Sequence, residues 1–418
     1  MNVLFSKWQQ HLETGIKYLS DGNYVGAEEQ LKISLEEAET LQVPVIIAFS
    51  QRLLATAQVR NNKLEEAESG FYRAFNYCRQ LNNEKGMAEA KAGLASICFV
   101  QGNYRQAIDW YQQAINIYPQ NSSSLRLAVL YTDLGQVYSR LREWKKAIDA
   151  FLQAGALCKA YGYVRGEADI YLYLGEVQYS QGKNQAAKGS FMQAAKIYAL
   201  LADEISLANS HQYLAFILLE TNRIYEALEY QYRVIVLHFK KRQYSEVSEA
   251  YYLLSYILQY AKLLDEAEES LKLSLKYYKG HEFGFAVRYH GLAVIAIMKK
   301  EYEDAKKYYY EALKFFQFHG DGSKVGEISE ELTYLLKYKD ACIKQNLYKW
   351  LQGRYVNVDM PKYEVMLQLA NRLKNKGNNL AALRYGWRAL ELAKVMKGET
   401  QEIEGLIQNL SECIRRKK

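Results

Sequence analysis

A pattern of small residues that recurs every 40 residues is the feature that most restricts how this chain folds. In each copy a leucine is followed by a small residue, a second small residue comes twelve positions later, and a third comes seven positions after that. In the third copy these residues are Leu94, Ala95, Ala107 and Ala114. Small side chains at this spacing allow two antiparallel helices joined by a short turn to pack closely. The pattern therefore predicts a series of helical hairpins.

The pattern runs through most of the chain. Its leading leucines are 40 residues apart, with one step of 38, and they are Leu54, Leu94, Leu134, Leu174, Leu214, Leu254 and Leu292. One hairpin cannot bury its own apolar face, so neighbouring hairpins must stack. We expect an all-α, right-handed superhelical solenoid. Repeats one to eight would occupy residues 1–320, a degenerate ninth repeat or hinge 321–360, a final repeat 361–398, and a basic capping helix 399–418.

Composition agrees with long helices and indicates the compartment. The 418 residues include 3 prolines and many residues with good helix propensity. The five cysteines form no CxxC pair, as is typical of thiols in a reducing compartment. The first residues lack the features of a signal peptide, and no apolar run is long enough to span a membrane. These features predict a cytoplasmic protein that does not associate with membranes.

The net charge of +7 is concentrated at the C-terminus, where residues 337–418 contain 17 Lys and Arg against 8 Asp and Glu. This charge fits a solubilising cap; a surface for an acidic partner is the alternative, and nucleic acid is not the expected ligand. The histidines and cysteines lack metal-site spacing, and "HGDGSK" lacks the spacing of a phosphate-binding loop. We therefore predict no catalytic residues, no metal and no cofactor.

With its "LGQVY" segment, the small-residue pattern resembles the tetratricopeptide repeat (TPR), whose usual period is 34 residues. A period of 40 implies longer helices or longer loops. Long repeats of this kind are similar to those of the peptide-sensing regulators of Gram-positive bacteria and of the response-regulator aspartate phosphatases. The first repeat begins by about Lys7, so the N-terminal effector module of those proteins is not expected here. The resemblance implies a concave groove lined by the first helix of each hairpin.

Positions at fixed distances from each leading leucine share the predicted groove face of the first helices. In repeats four to eight this rule selects amides, aromatic rings and carboxylates, which suit a peptide backbone, its side chains and a basic residue. We expect Asn209 and Gln212 to bind a peptide backbone and the tyrosine stripe to hold side chains. The predicted groove residues are Gln136, Arg140, Asp169, Glu176, Tyr179, Asn209, Gln212, Phe216, Glu220, Glu249, Tyr252, Tyr256, Gln259, Tyr260 and His290.

Other interpretations of these residues remain open. Tyrosines at helical spacing also pack between helices, Glu176 and Glu220 fit solvated groove charges, and Asn209 fits a structural role. The sequence predicts a non-enzymatic regulator that captures a peptide or protein segment. A static scaffold for larger proteins, with possible self-association, and a modulator of response-regulator signalling are the alternatives.

Overall fold

The computed structural model describes residues 2–118, 125–337, 370, 371, 374, 386 and 401–415. These residues form α-helices and no β-strand, which confirms the all-α fold class. The chain divides into an N-terminal unit, Met1–Ile197, and a C-terminal unit, Tyr198–Lys418.

The described helices follow one another in antiparallel pairs. The first ten are α1 (Asn2–Ser20), α2 (Tyr24–Leu41), α3 (Pro44–Arg60), α4 (Leu64–Gln80), α5 (Glu84–Val100), α6 (Tyr104–Ile117), α7 (Leu125–Arg140), α8 (Trp144–Ala160), α9 (Val164–Ser180) and α10 (Asn184–Leu200). The others are α11 (Glu204–Glu220), α12 (Ile224–Lys240), α13 (Tyr244–Tyr260), α14 (Leu264–Tyr277), α15 (Glu282–Lys299), α16 (Tyr302–His319), α17 (Gly322–Lys337) and α18 (Gln401–Arg415).

Helix length explains the 40-residue period. Helices α3, α4, α5, α8 and α9 each contain 17 residues, and turns of three residues join α3 to α4 and α4 to α5. Two such helices and two such turns make up one repeat. The extra residues relative to the usual period therefore lie in the helices, and the loops between repeats stay short.

The middle residue of each three-residue turn has a left-handed backbone conformation. Residues with positive φ fall at a spacing of 20 across much of the chain, for example Asn62 (φ 61°), Asn82 (φ 49°) and Gly102 (φ 79°). Glycine and asparagine adopt this conformation at low cost. The same conformation at Arg142 and Lys262 shows that stacking of the helices fixes the turn even where the residue does not favour it.

The small residues of the repeat are buried where the hairpins close. The second position of the pattern has no exposed surface in repeats one to eight, at Ala27, Ala67, Ala107, Ala147, Ala187, Ala227, Ala267 and Ala305. The first position lies under a bulky side chain of the second helix. A Cβ on Gly135 would lie 2.6 Å from the Phe151 ring, and a Cβ on Gly175 would lie 2.7 Å from the Phe191 ring. Small residues here leave room for an aromatic ring between the helices.

Each unit has its own apolar core. In the N-terminal unit, clusters of buried side chains extend from Trp8 to Val177. The core of the C-terminal unit reaches Leu410, and α18 contributes one buried face through Ile403, Leu406 and Ile407. The helix predicted at the C-terminus is thus present. The expectations for residues 338–360, and for most of 361–398, fall outside the described residues.

Candidate functional site

The N-terminal unit contains a cavity of about 640 Å³ on the face shared by α3, α5 and α7, the first helices of repeats two to four. Its lining residues occur at the same positions in each helix, because the repeat places equivalent side chains side by side. We call this cavity the arginine pocket. Its wall residues are Arg52, Thr56, Val59, Arg60, Ala88, Glu89, Ala92, Gly93, Ser96, Phe99, Val100, Arg126, Val129, Leu130, Asp133 and Gln136, with Phe71, Tyr111 and Tyr118 completing the lining.

A shared carboxylate connects three successive repeats at this pocket. Glu89 of α5 accepts from Arg52 of α3, with the Arg52 NH2 atom 2.9 Å from Oε2, and from Arg126 of α7, with Nε 3.0 Å from Oε1. The side chains of Arg52 and Glu89 are 12% and 14% exposed, so this pair is shielded from solvent. Burial lowers the pKa of the Arg52 guanidinium, and the charge of Glu89 opposes that effect. The arrangement fixes both arginines at the pocket.

Asp133 of α7 is the second carboxyl group of the pocket, and it titrates near neutrality. Burial raises the pKa of Asp133 to about 7, and the positive charges of Arg126 and Arg60 only partly oppose this rise. The side chain keeps some exposed surface, as expected for a group that borders a cavity. With Arg52, Arg60 and Arg126 against Glu89 and Asp133, the pocket carries a positive charge whether or not Asp133 is ionised.

Tyrosine hydroxyls border the same cavity. Tyr111 of α6 lies 3.3 Å from the Ser96 hydroxyl, and burial together with the charge of Asp133 raises its pKa. Burial also raises the pKa of Tyr118, and its hydroxyl oxygen has no hydrogen-bond partner among the described residues. These hydroxyls are therefore protonated at neutral pH and available as polar groups of the pocket.

One predicted groove residue, Gln136, lines the arginine pocket, and its side chain hydrogen-bonds to Tyr173 of α9. Burial, followed by the charges of Asp169 and Glu176, raises the pKa of Tyr173 to about 12. The structure thus brings three of the predicted residues together around one tyrosine. The remaining two predicted residues of the N-terminal unit, one exposed and one half-buried, are Arg140 and Tyr179.

On α11 of the C-terminal unit, the two predicted backbone-binding residues differ in their surroundings. Asn209 is exposed, whereas Gln212 forms a reciprocal pair with Gln231 of α12. The amide nitrogen of Gln212 lies 2.9 Å from the Gln231 side-chain oxygen, and Gln231 donates to the Ala250 carbonyl at 2.8 Å. Gln212 is therefore part of the packing between α12 and its neighbours. The other two residues predicted on α11, half-buried and exposed, are Phe216 and Glu220.

Two predicted residues of α13 surround a buried arginine. Arg288 of α15 is 3% exposed, pairs with Glu249, and lies 5.3 Å from the ring centre of Tyr252. Its Nε donates to the Ser274 hydroxyl at 2.7 Å, and its guanidinium lies 4.0 Å from the ring centre of Tyr278. Such a paired and hydrogen-bonded cation anchors the contact between repeats seven and eight.

The remaining predicted residues also contact other side chains. The hydroxyls of Tyr256 and Tyr260 lie 2.9 Å apart, and Gln259 is only 5% exposed. His290 of α15 lies 2.9 Å from Oε2 of Glu331 on α17, a carboxylate that is 5% exposed. These contacts show how the first helices of successive repeats are joined in the C-terminal unit.

The sequence analysis missed most of the arginine pocket because it applied its positional rule to repeats four to eight alone. Arg52 lies two residues before Leu54, and Glu89 lies five residues before Leu94, so the same rule selects both. Asp133 lies directly before Leu134, outside the rule, and nothing in the sequence distinguishes it. Its proximity to Arg60 depends on how repeats two and four are stacked.

Comparison with known proteins agrees with the fold. A tetratricopeptide repeat family model matches residues 46–120, which contain most of α3 and all of α4, α5 and α6. No match is found among curated protein sequences.

Solved structures show the same kind of fold at low identity. A signal transduction ATPase with numerous domains and a tetratricopeptide repeat sensor, from Pyrococcus horikoshii, is 14% identical with a TM-score of 0.56, and the match covers 86% of this chain and 55% of that one. BtubC from P. vanneervenii is 18% identical with a TM-score of 0.46, covering 52% and 94% of the two chains. The apo form of RapI is 14% identical with a TM-score of 0.46, covering 65% and 97%. The match at residues 46–120, together with helical hairpins on both sides of it, shows that this chain is a tetratricopeptide repeat protein.

Proposed function

We propose that this chain is a non-enzymatic binding protein that holds a peptide, or a segment of another protein, against the shared face of α3, α5 and α7. The arginine pocket is the observation that carries this proposal. It is a cavity of about 640 Å³ with a fixed set of charged groups, of the size and character of a ligand site.

The walls of the pocket suit a peptide in two ways. Val59, Phe99 and Val129 provide apolar surface for a side chain, while the arginines and Gln136 provide hydrogen-bond donors for carbonyl and carboxylate oxygens. Equivalent positions recur from one helix to the next, so an extended segment would meet a similar surface in each repeat. The arginines stay protonated at every accessible pH and cannot exchange protons, which suits binding and not acid–base catalysis.

The cytoplasm remains the proposed location. Cys78, Cys98 and Cys158 are buried free thiols, which is typical of a protein kept in a reducing compartment. Across residues 2–118, 125–337 and 401–415, no helix is long and apolar enough to cross a membrane.

A peptide selection with a blocked pocket tests the proposal. Random short peptides would be displayed and selected on the full-length chain, and the affinity of the selected peptides measured by fluorescence anisotropy. Val129 is 43% exposed and lines the pocket, so a Val129→Trp substitution should fill it without disturbing the core. We expect this variant to lose at least tenfold in affinity.

The matched control is Leu152→Trp on α8, at a side chain that is 56% exposed and does not line the pocket. This variant should bind the selected peptides as wild type does. Equal binding by wild type and Val129→Trp would place the ligand site elsewhere. A selection that yields no peptide, combined with capture of folded partners alone, would favour a scaffold for whole proteins.

A further inference from the structure

We propose that the arginine pocket binds a peptide carboxylate together with one proton, and that Asp133 holds that proton and donates a hydrogen bond to the ligand. This inference rests on the proposed peptide-binding function and names the ligand group and the chemistry of that site. The carboxylate is either an Asp or Glu side chain or the C-terminus of the peptide.

The first argument is the excess of cationic donors. Three arginines border the cavity, and each guanidinium carries five N–H donors. Glu89 accepts from two of these groups through its two oxygens, with distances of 2.9 and 3.0 Å. A planar carboxylate is the ligand group that arginine binds best, through paired charge-assisted hydrogen bonds. A ligand carboxylate would complete the set of acceptors.

The second argument is the position of Asp133 among these cations. Charged and titratable groups face it from several helices: Arg60 from α3, Arg126 from α7, Tyr111 from α6 and Tyr173 from α9. Glu89 of α5 borders the same cavity and is engaged by Arg52 and Arg126. An anionic ligand that enters this space lies close to both the arginines and the Asp133 carboxyl.

The third argument concerns the proton. Two carboxylates that share one site disfavour each other's ionised form, so one of them retains a proton. The pKa of Asp133 is already raised to about 7 by burial, so at neutral pH about half of the molecules carry this proton before a ligand binds. A peptide carboxylate has an ordinary pKa of about 4 and stays ionised. Asp133 is therefore the group that takes up the proton.

Linkage gives the size of the effect. If only the protonated form of Asp133 binds, affinity should fall by about tenfold between pH 6 and pH 8. Binding should take up about half a proton at pH 7 and about 0.9 of a proton at pH 8.

The experiment is isothermal titration of the full-length chain with peptides selected on wild type. Titrations at pH 6, 7 and 8, in buffers with different heats of ionisation, give affinity and proton uptake together. Asp133→Asn keeps a hydrogen-bond donor at this position but cannot titrate. It should bind with an affinity that changes less than twofold over this range, and with no proton uptake. Asp149→Asn, at an exposed carboxylate on α8, should behave as wild type.

Two further sets of peptides identify the ligand group. In one set the C-terminus is an amide, and in the other the Asp and Glu residues are replaced by Asn and Gln. We expect one of these changes to weaken binding by at least tenfold, and the set that does so identifies the source of the carboxylate. The proposal is overturned if both sets bind as tightly as the parent peptides.

It is also overturned if wild-type affinity is the same at pH 6 and pH 8 while Val129→Trp still abolishes binding. In that case the pocket binds peptides without the proton. Binding that Val129→Trp leaves unchanged contradicts the proposed binding site itself, so the two failures are distinguishable.

Discussion

Asp133 should make the stability of the N-terminal unit depend on pH in an unusual direction. Its pKa is about 7 in the folded chain and about 3.8, the ordinary value, when unfolded. The folded chain therefore binds more protons than the unfolded chain between these values, and stability falls as the pH rises through this window. Most surface carboxylates that form ion pairs act in the opposite direction.

The size of this effect follows from the same two values. Each pKa unit corresponds to 1.36 kcal/mol, so ionised Asp133 would destabilise the fold by at most about 4 kcal/mol above pH 7. The carboxyl keeps some contact with solvent, which lowers the expected cost to about 1–3 kcal/mol. Asp133→Asn should remove this cost at pH 8 and leave stability at pH 4 nearly unchanged.

Urea denaturation followed by tryptophan fluorescence measures this difference, because Trp110 and Trp144 pack against the core of the same unit. The midpoints of wild type and Asp133→Asn should separate steadily between pH 5 and pH 8. Asp149→Asn, at an exposed position on α8, is the control and should follow wild type. Parallel pH profiles of wild type and Asp133→Asn would refute the reasoning about burial.

Two further predictions test the packing. Gly135→Ala should destabilise the chain by about 1–3 kcal/mol in the same denaturation assay, because the new Cβ would lie 2.6 Å from the Phe151 ring, whereas Gly189→Ala, which meets nothing within 4 Å, should be neutral or slightly stabilising. Glu89→Gln should destabilise the chain by about 1–3 kcal/mol, because it leaves Arg52, only 12% exposed, without its carboxylate partner; a loss below about 0.5 kcal/mol would show that the pair is dispensable.

The repeat architecture could be predicted from the sequence because its determinants are local and periodic. Ala107 and Ala147 recur at one spacing, and that spacing alone requires paired helices. Helix length was not decided by the sequence, because Arg142 and Lys262 occupy left-handed turns that their residue types do not announce. The structure assigns the long period to 17-residue helices.

The candidate site could be predicted in part. The rule for the groove face selects Arg52 and Glu89 when it is applied to repeats two and three. The raised pKa of Asp133 depends on burial by neighbouring helices and on the opposing charges of Arg60 and Arg126, which come from different repeats. Such a property arises from stacking and has no signature in the sequence. The predicted roles of Asn209 and the tyrosine stripe remain predictions.

Hydrogen–deuterium exchange of the full-length chain, with and without a saturating selected peptide, tests the central claim most directly. Bound peptide should slow exchange in α3, α5 and α7, with the largest protection near Glu89 and Asp133. Protection that appears in α11, α13 and α15 instead, or no protection in any helix, would contradict a ligand site at the arginine pocket.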